Sequence, residues 1–445
     1  MEQLLHYTWM HRLFPLRELR TTDGRLLEVL NPGIHNTDAG PDFTGAKIKL
    51  DGAEWVGNVE LHLKTSDWFR HHHDTDPAYE NIILHVACEV DQPLFYPNGQ
   101  PIPQLQLPVP ASVRENYGTL CHNDVRPRCR GVVGDLPLFL VHNWMTTLTL
   151  QRFEERARQI MQRRESLDKD WEGTLFVTLA RSFGFGINGD AFEQWARSIP
   201  LMAVGKHRDS LFQIEAIFFG QAGLLEEEPS TGAAPASTQA AQPQDDYYVR
   251  LQKEYRFLRH KFTLTPIPRS AWKFLRLRPQ NFPHIRIAQL AMLYYEQRLN
   301  LSRLLNAESI EEVSALLLTH VSDFWRTHYT FASQPAKPTE KALSQASIQL
   351  LIINSVAPML FTYGRYKSDQ RLCDRAFAMW QQLPPENDTI IRDWAAAGVP
   401  CESAADSQAL LQLHRNYCQR RDCLRCKFGY EYIRRTPDFL HEKDD

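Results

Sequence analysis

PDFTGAKIKLDGAEWVGNVELHLK, residues 41–64, decides the fold of the N-terminal part of this chain. Alternating apolar and polar residues flank Asp51-Gly52, a dipeptide that supplies the positive φ angles of a tight hairpin turn. The stretch therefore predicts two antiparallel strands. On the second strand Glu60, His62 and Lys64 take every other position. Strand side chains alternate faces, so these three project together. Asp42 stands at the head of the first strand. A carboxylate facing a carboxylate, an imidazole and a lysine is a donor set for divalent-metal chemistry. The acids hold the cation, and the lysine orients or deprotonates a water.

Outward from this hairpin, RLLEVLNPG (25–33) predicts a strand closed by an Asn-Pro-Gly turn, and NIILHVACEVD (81–91) a mostly buried strand. QPIPQLQLPVP (100–110) predicts an irregular edge strand, because proline cannot donate to a ladder. Residues 1–20 predict a helix. Residues 1–132 thus form an α+β domain with a central mixed sheet. From Leu136 the apolar period becomes helical, with Leu150, Phe153, Ala157, Ile160 and Met161 on one stripe. Residues 133–225 form a helical domain in which Asp190 is the expected cap of one helix. Residues 226–246, EEEPSTGAAPASTQAAQPQDD, carry almost no large apolar side chains and are expected to be a disordered linker or loop. Residues 247–445 predict a further helical domain that ends in a cysteine-rich metal knob.

A chain of 445 residues implies two or three domains, and 43% hydrophobic with 23% charged residues is a globular composition. No apolar run reaches membrane-span length, and the opening MEQLLHYTWMHRLF is no secretory signal. A cytoplasmic protein with no membrane partner is expected. Three of eight cysteines fall within nine residues, which suits a metal site in a reducing compartment better than a disulfide framework. The net charge of −3 does not mark the whole chain as a polyanion binder. GFGING (184–189) is no dinucleotide fingerprint, since it lacks the glycine pattern and follows a helix.

Asp67, His71, His72, His73, Asp76, Tyr79 and His85 follow the hairpin closely. His71 and His73 share a face if the chain there is extended, and His85 is a polar residue in an apolar strand. With Asp42, Glu60 and His62 they could complete a His/carboxylate centre, which suits Mn2+, Zn2+ or Fe2+ better than Mg2+. The bland alternative is a solvated strand face and a buried histidine bonded to backbone. Pro41-Asp42, some twenty residues, then an acid and a lysine on one strand resembles the PD-(D/E)XK nuclease superfamily. That resemblance implies a restriction-endonuclease-like fold, a divalent cation (Mg2+ or Mn2+) and Asp42 and Lys64 as functional residues. The residue two before Lys64 is His62 where the superfamily usually has an acid, and Glu60 lies two earlier still. GPDF (40–43), GNVELH (57–62), HHHDTDPAY (71–79), ILHV (83–86), FFGQAGLL (218–225) and RPQNFPHIRIAQLA (278–291) also resemble an uncharacterised bacterial family, common in Bacteroidetes, over nearly the full length. That family implies no activity.

Cys401, Cys418, Cys423 and Cys426 could chelate one Zn2+ or a [4Fe–4S] cluster, and seven Lys/Arg between Arg415 and Arg435 surround them. From Arg250 to Arg286 ten Lys/Arg face one acid. There Lys273, Arg276, Arg278 and Arg286 interleave with Trp272, Phe274 and Phe282, a pattern that suits phosphate contact and base stacking. The alternative is that the aromatics are core.

These readings converge on a metal-dependent nuclease acting on nucleic acid, DNA favoured over RNA, with Asp42, Glu60, His62 and Lys64 as its cluster. Two rivals are a non-catalytic nucleic-acid-binding scaffold and a His/carboxylate hydrolase or oxygenase of a small molecule. The sequence leaves the oligomeric state open.

Overall fold

A computed structural model describes residues 1–15, 19–122, 124–226 and 246–435 of the chain. They form two compact units. The first holds residues 1–144, 392–399 and 413–435, and the second residues 145–391 and 400–412. The division differs from the expected one: the C-terminal cysteine segment belongs with the sheet rather than closing a helical domain. The segment 226–246, expected to be disordered, lies outside the described residues except at its two ends.

The first unit opens with α1 (Glu2–Met10) and a mixed sheet. Its strands are β1 (Leu19–Arg20), β2 (Leu26–Asn31), β3 (Ile34–His35), β4 (Phe43–Leu50), β5 (Ala53–Lys64), β6 (Ile82–Glu89) and β7 (Gln104–Gln106). The order is β1-β2-β4-β5-β6-β7, with β3 paired to β4. Pairs up to β4–β5 are antiparallel, and β5–β6 and β6–β7 are parallel. The predicted α+β unit with a mixed sheet, followed by a mainly helical region, is what the chain forms.

The hairpin turns at Asp51 (φ 48°) and Gly52 (φ 86°), and Leu50 pairs with Ala53. The Asp51 carboxylate also accepts the Leu26 N–H at 2.8 Å, tying the turn to β2. At Gly57 a side chain has no room. A Cβ there would stand 2.4 Å from Ile83 Cγ2 and 2.8 Å from the Asn81 carbonyl. Its absence lets β6 close onto β5, and Asn58 then donates to the Asn81 carbonyl at 2.9 Å. In the parallel register Glu60 lies opposite His85 and His62 opposite Ala87, so Glu60, His62 and His85 share one face.

That face is covered by α2 (Asp67–Arg70) and the loop after it. Trp68, Tyr79, Ile82, Leu94 and Ile102 bury a small apolar cluster. The Trp68 ring meets His73, Tyr79 and His85 edge-on. Beyond β7 follow α3 (Ala111–His122) and α4 (Arg130–Val133).

The second unit is helical around one large core that includes Phe153, Phe176, Trp195, Phe218, Trp325 and Trp380. The helix Gly189–Arg197 is preceded by Asn188, so Asp190 sits inside its first turn rather than at the cap. One expectation needs correction. Gln345–Lys367 is one helix, long and apolar enough to cross a membrane by length and composition. Most of it is buried: Ile348, Leu351, Ile352, Val356 and Leu360 pack into the core of the unit.

Candidate metal centre

Glu60 and His62 lie in the buried half of β5, and neither is more than 4% exposed. Glu60 is fixed by its own neighbour strand. Its Oε2 accepts the Asp42 N–H at 3.0 Å, while Asp42 Oδ2 accepts the Leu61 N–H at 3.0 Å. This reciprocal clamp ties the head of β4 to the segment of β5 that carries both side chains. The free Glu60 oxygen, Oε1, stands 3.2 Å from His73 Nε2 and 3.7 Å from His62 Nε2. His62 Nε2 lies 3.2 Å from His71 Nδ1. The donor nitrogens of His62, His71 and His73 all lie within 4.8 Å of one another. Donors about 2.1 Å from a shared ion at tetrahedral or octahedral angles stand about 3.0–3.4 Å apart, and the His62–His71 pair has that spacing.

His71 and His73 meet for a different reason than the expected extended chain. The strand has ended, and His71 and His73 donate their N–H groups back to Asp67 and Trp68 after α2. His72 takes φ 61°, a left-handed turn that folds both neighbours over the sheet. Tyr79 stacks on His73 at 3.9 Å between ring centres and holds its plane. His71 is exposed, which leaves the cluster open on that side.

His85 stands outside the group formed by His62, His71 and His73. Its Nε2 lies 2.9 Å from His62 Nδ1, on the far side of the His62 ring from Glu60 and His71. It therefore fixes the tautomer and plane of His62, as second-layer partners of metal-binding histidines do. Burial lowers the His62 pKa to about 2, helped by the neighbouring histidines, and the His85 pKa to about 3. Both rings are thus neutral at ordinary pH, the form that donates a lone pair to a cation. Burial also raises the Glu60 pKa, partly offset by His73.

Lys64 is not brought to this cluster. It is exposed and pairs with Glu89 of β6 at 2.9 Å. Asp42 is present at one remove, holding the Leu61 N–H and the Glu60 carboxylate, and a residue not singled out from sequence stands beside it. His6 of α1 lies 3.3 Å from Asp42 Oδ2. Burial opposes its protonation, and the Asp42 carboxylate, together with Glu2 and Glu60, raises its pKa overall. Nothing in the spacing of α1 pointed to His6.

The cysteines assemble differently from the expected set. Cys418, Cys423 and Cys426 line one cavity of about 30 Å3, and the fourth cysteine lining it is Cys129. Cys401 belongs to the second unit, beside Asp406 and Glu386. Cys129 directly precedes α4. Cys426 caps the helix Lys427–Arg434. Burial pushes the Cys418 and Cys426 thiols up to about 12 and Cys423 to about 11, with nearby thiols adding to each.

In the second unit the predicted basic surface is reduced. Trp272 is buried and donates its indole N–H to the Ala222 carbonyl at 2.8 Å, and Phe274 packs on Phe282 and His284. Arg286 is buried too. It donates to Asn281 Oδ1 at 2.7 Å and Gln289 Oε1 at 2.9 Å, and it lies over the Phe185 ring. Trp272 is in the core and Phe274 packs against that core, Phe282 is half-buried, and Lys273, Arg276 and Arg278 are exposed.

Fold and site together define an α+β unit with a histidine-rich candidate metal centre, joined in one chain to a helical unit. The chain belongs to the family described as protein of unknown function (DUF2851), whose sequence model matches residues 2–389. No curated protein matches the chain. No solved structure matches it.

Proposed function

We propose that the first unit is a metal-dependent phosphodiesterase of the nuclease type, with Glu60, His62, His71 and His73 as the metal-binding set. The observation that carries this reading is the convergence of Glu60 Oε1 with the nitrogens of His62 and His73, clamped through Asp42. An aspartate at the head of one strand, with an acid on the next strand tied to its backbone N–H, is in keeping with the PD-(D/E)XK resemblance. The acid–x–base spacing of that resemblance falls here on Glu60 and His62 rather than on His62 and Lys64. When bound, the cation would acidify a coordinated water and offset charge on the scissile phosphate. Asp42 holds the main chain that presents Glu60 and His62, and His85 holds the His62 ring.

A second reading, hydrolysis of a small molecule, is favoured by one feature. Asp74, Asp76 and Glu80 lie exposed on the loop that carries His73, an acidic rim unsuited to a polyanion. One experiment separates the two. Protein loaded with Mn2+, Zn2+ or Mg2+ is assayed on plasmid DNA, RNA, an aryl phosphodiester and simple aryl esters. The nuclease reading expects phosphodiester cleavage that is lost in Glu60→Gln. Cleavage of esters alone would transfer support to the second reading. A protein that binds no transition metal and cleaves nothing would end both.

A further inference from the structure

Cys129 and the group Cys418, Cys423 and Cys426 come from segments almost 300 residues apart in the chain, yet all four residues line one cavity in the first unit. The fold makes close approaches to build it. A Cβ on Gly429 would stand 2.1 Å from the Cys423 carbonyl oxygen, so only glycine lets the C-terminal helix lie against the Cys423 turn. The Arg128 guanidinium donates to the Cys418 carbonyl at 3.1 Å, joining the segment before α4 to the C-terminal one. The N–H groups of Phe428 and Gly429, in the first turn of that helix, face the Cys426 sulfur.

The size of the cage decides what fits. Four thiolates on one zinc at about 2.3 Å form a tetrahedron with edges of about 3.8 Å and no void among them. Among the described residues no three cysteine sulfurs lie within 4.8 Å of one another. The cavity of about 30 Å3 also exceeds the space of one water. A polynuclear group spreads its thiolates farther than one ion can. The Cys-x4-Cys-x2-Cys run with one remote cysteine is moreover a spacing that iron–sulfur clusters use.

We infer that these four cysteines bind an iron–sulfur cluster, with Cys129 as the fourth ligand. The inference is independent of the histidine centre and stands or falls apart from it. The cluster closes the first unit by cross-linking its early and late segments. The test is iron, zinc and acid-labile sulfide per chain in full-length protein purified without oxygen, with its visible spectrum. Equal iron and sulfide with broad visible absorption is the expected result, and the count separates a two-iron from a four-iron cluster. Cys129→Ser should lose most of the iron, whereas Cys401→Ser should keep it. One zinc without sulfide overturns the inference. So does metal-free protein that takes up no cluster from Fe2+ and sulfide under reducing conditions. Iron lost equally from Cys401→Ser and Cys129→Ser overturns the ligand set. Because the wild-type assay decides cluster against zinc, failure of the Cys129 variant to fold does not shield the idea.

Discussion

His62 and Lys64 differ by two positions on one strand, and the distinction between them sets the first prediction. His62 is buried among His71, His73, His85 and Glu60, and Lys64 is exposed on Glu89. His62→Ala should abolish transition-metal binding at the centre, whereas Lys64→Ala should leave it unchanged. Metal content after dialysis reads this directly, and equal losses in both variants would remove His62 from the ligand set. His85→Leu should weaken metal affinity by about 10–100-fold, the usual effect of losing the partner that orients a ligating imidazole. Calorimetric titration with Zn2+ measures it. Glu215, in the helical unit, makes a separate prediction. It is fully buried, and burial raises its carboxyl from 4.5 to about 7 although Tyr247 and Ser322 donate to it. The folded state therefore holds this proton in a range where the unfolded chain releases it. Its contribution to stability is complete below about pH 4.5 and is lost as pH rises to about 7. The loss is about 3 kcal/mol. Glu215→Gln should flatten this part of the pH profile in denaturant titrations at pH 5 and 8. An unchanged slope would show that other groups carry it.

At the scale of elements, the hairpin of β4 and β5 was legible because its signals are local. Asp51-Gly52 fixes the turn, and alternation fixes which side chains share a face. Co-projection of Glu60 with His62 follows from the same periodicity. The assembly of His71 and His73 with them does not, since it depends on the left-handed turn at His72 and on Trp68 and Tyr79 packing under the loop. Trp272, Phe274 and Arg286 teach the converse. An arginine–aromatic pattern is the same on paper whether it faces solvent or the core, and here packing buried Trp272 and Arg286 and left Phe274 half-buried. Close approaches give the element-scale test. Gly429→Ala should destabilise the first unit by about 2–3 kcal/mol, because the Cys423 carbonyl would meet the new methyl. Thermal melts of metal-loaded protein measure it, and a Tm within experimental error of wild type would contradict the close contact.

At the scale of the whole molecule, the expected N-terminal boundary near residue 132 meets its own test. The first unit includes 392–399 and 413–435, where Asn116 donates to the Ile433 carbonyl and the Cys129 cavity is closed. A fragment of residues 1–132 should therefore lack cooperative unfolding and bind a dye for exposed apolar surface, while the full chain does neither. A fragment that melts cooperatively would show that the later segments are dispensable. The sequence by itself determined the α+β and helical composition, the hairpin, and a candidate metal-binding set around Glu60 and His62, since each rests on periodicity or spacing within some forty residues. Only the tertiary structure decided that Cys129 rather than Cys401 lines a cavity with Cys418, Cys423 and Cys426, that Lys64 stands outside the histidine cluster, and that His6 stands beside Asp42. Those outcomes depend on which distant segments pack together. That choice is made by burial of apolar surface over the whole chain, and no local pattern records it.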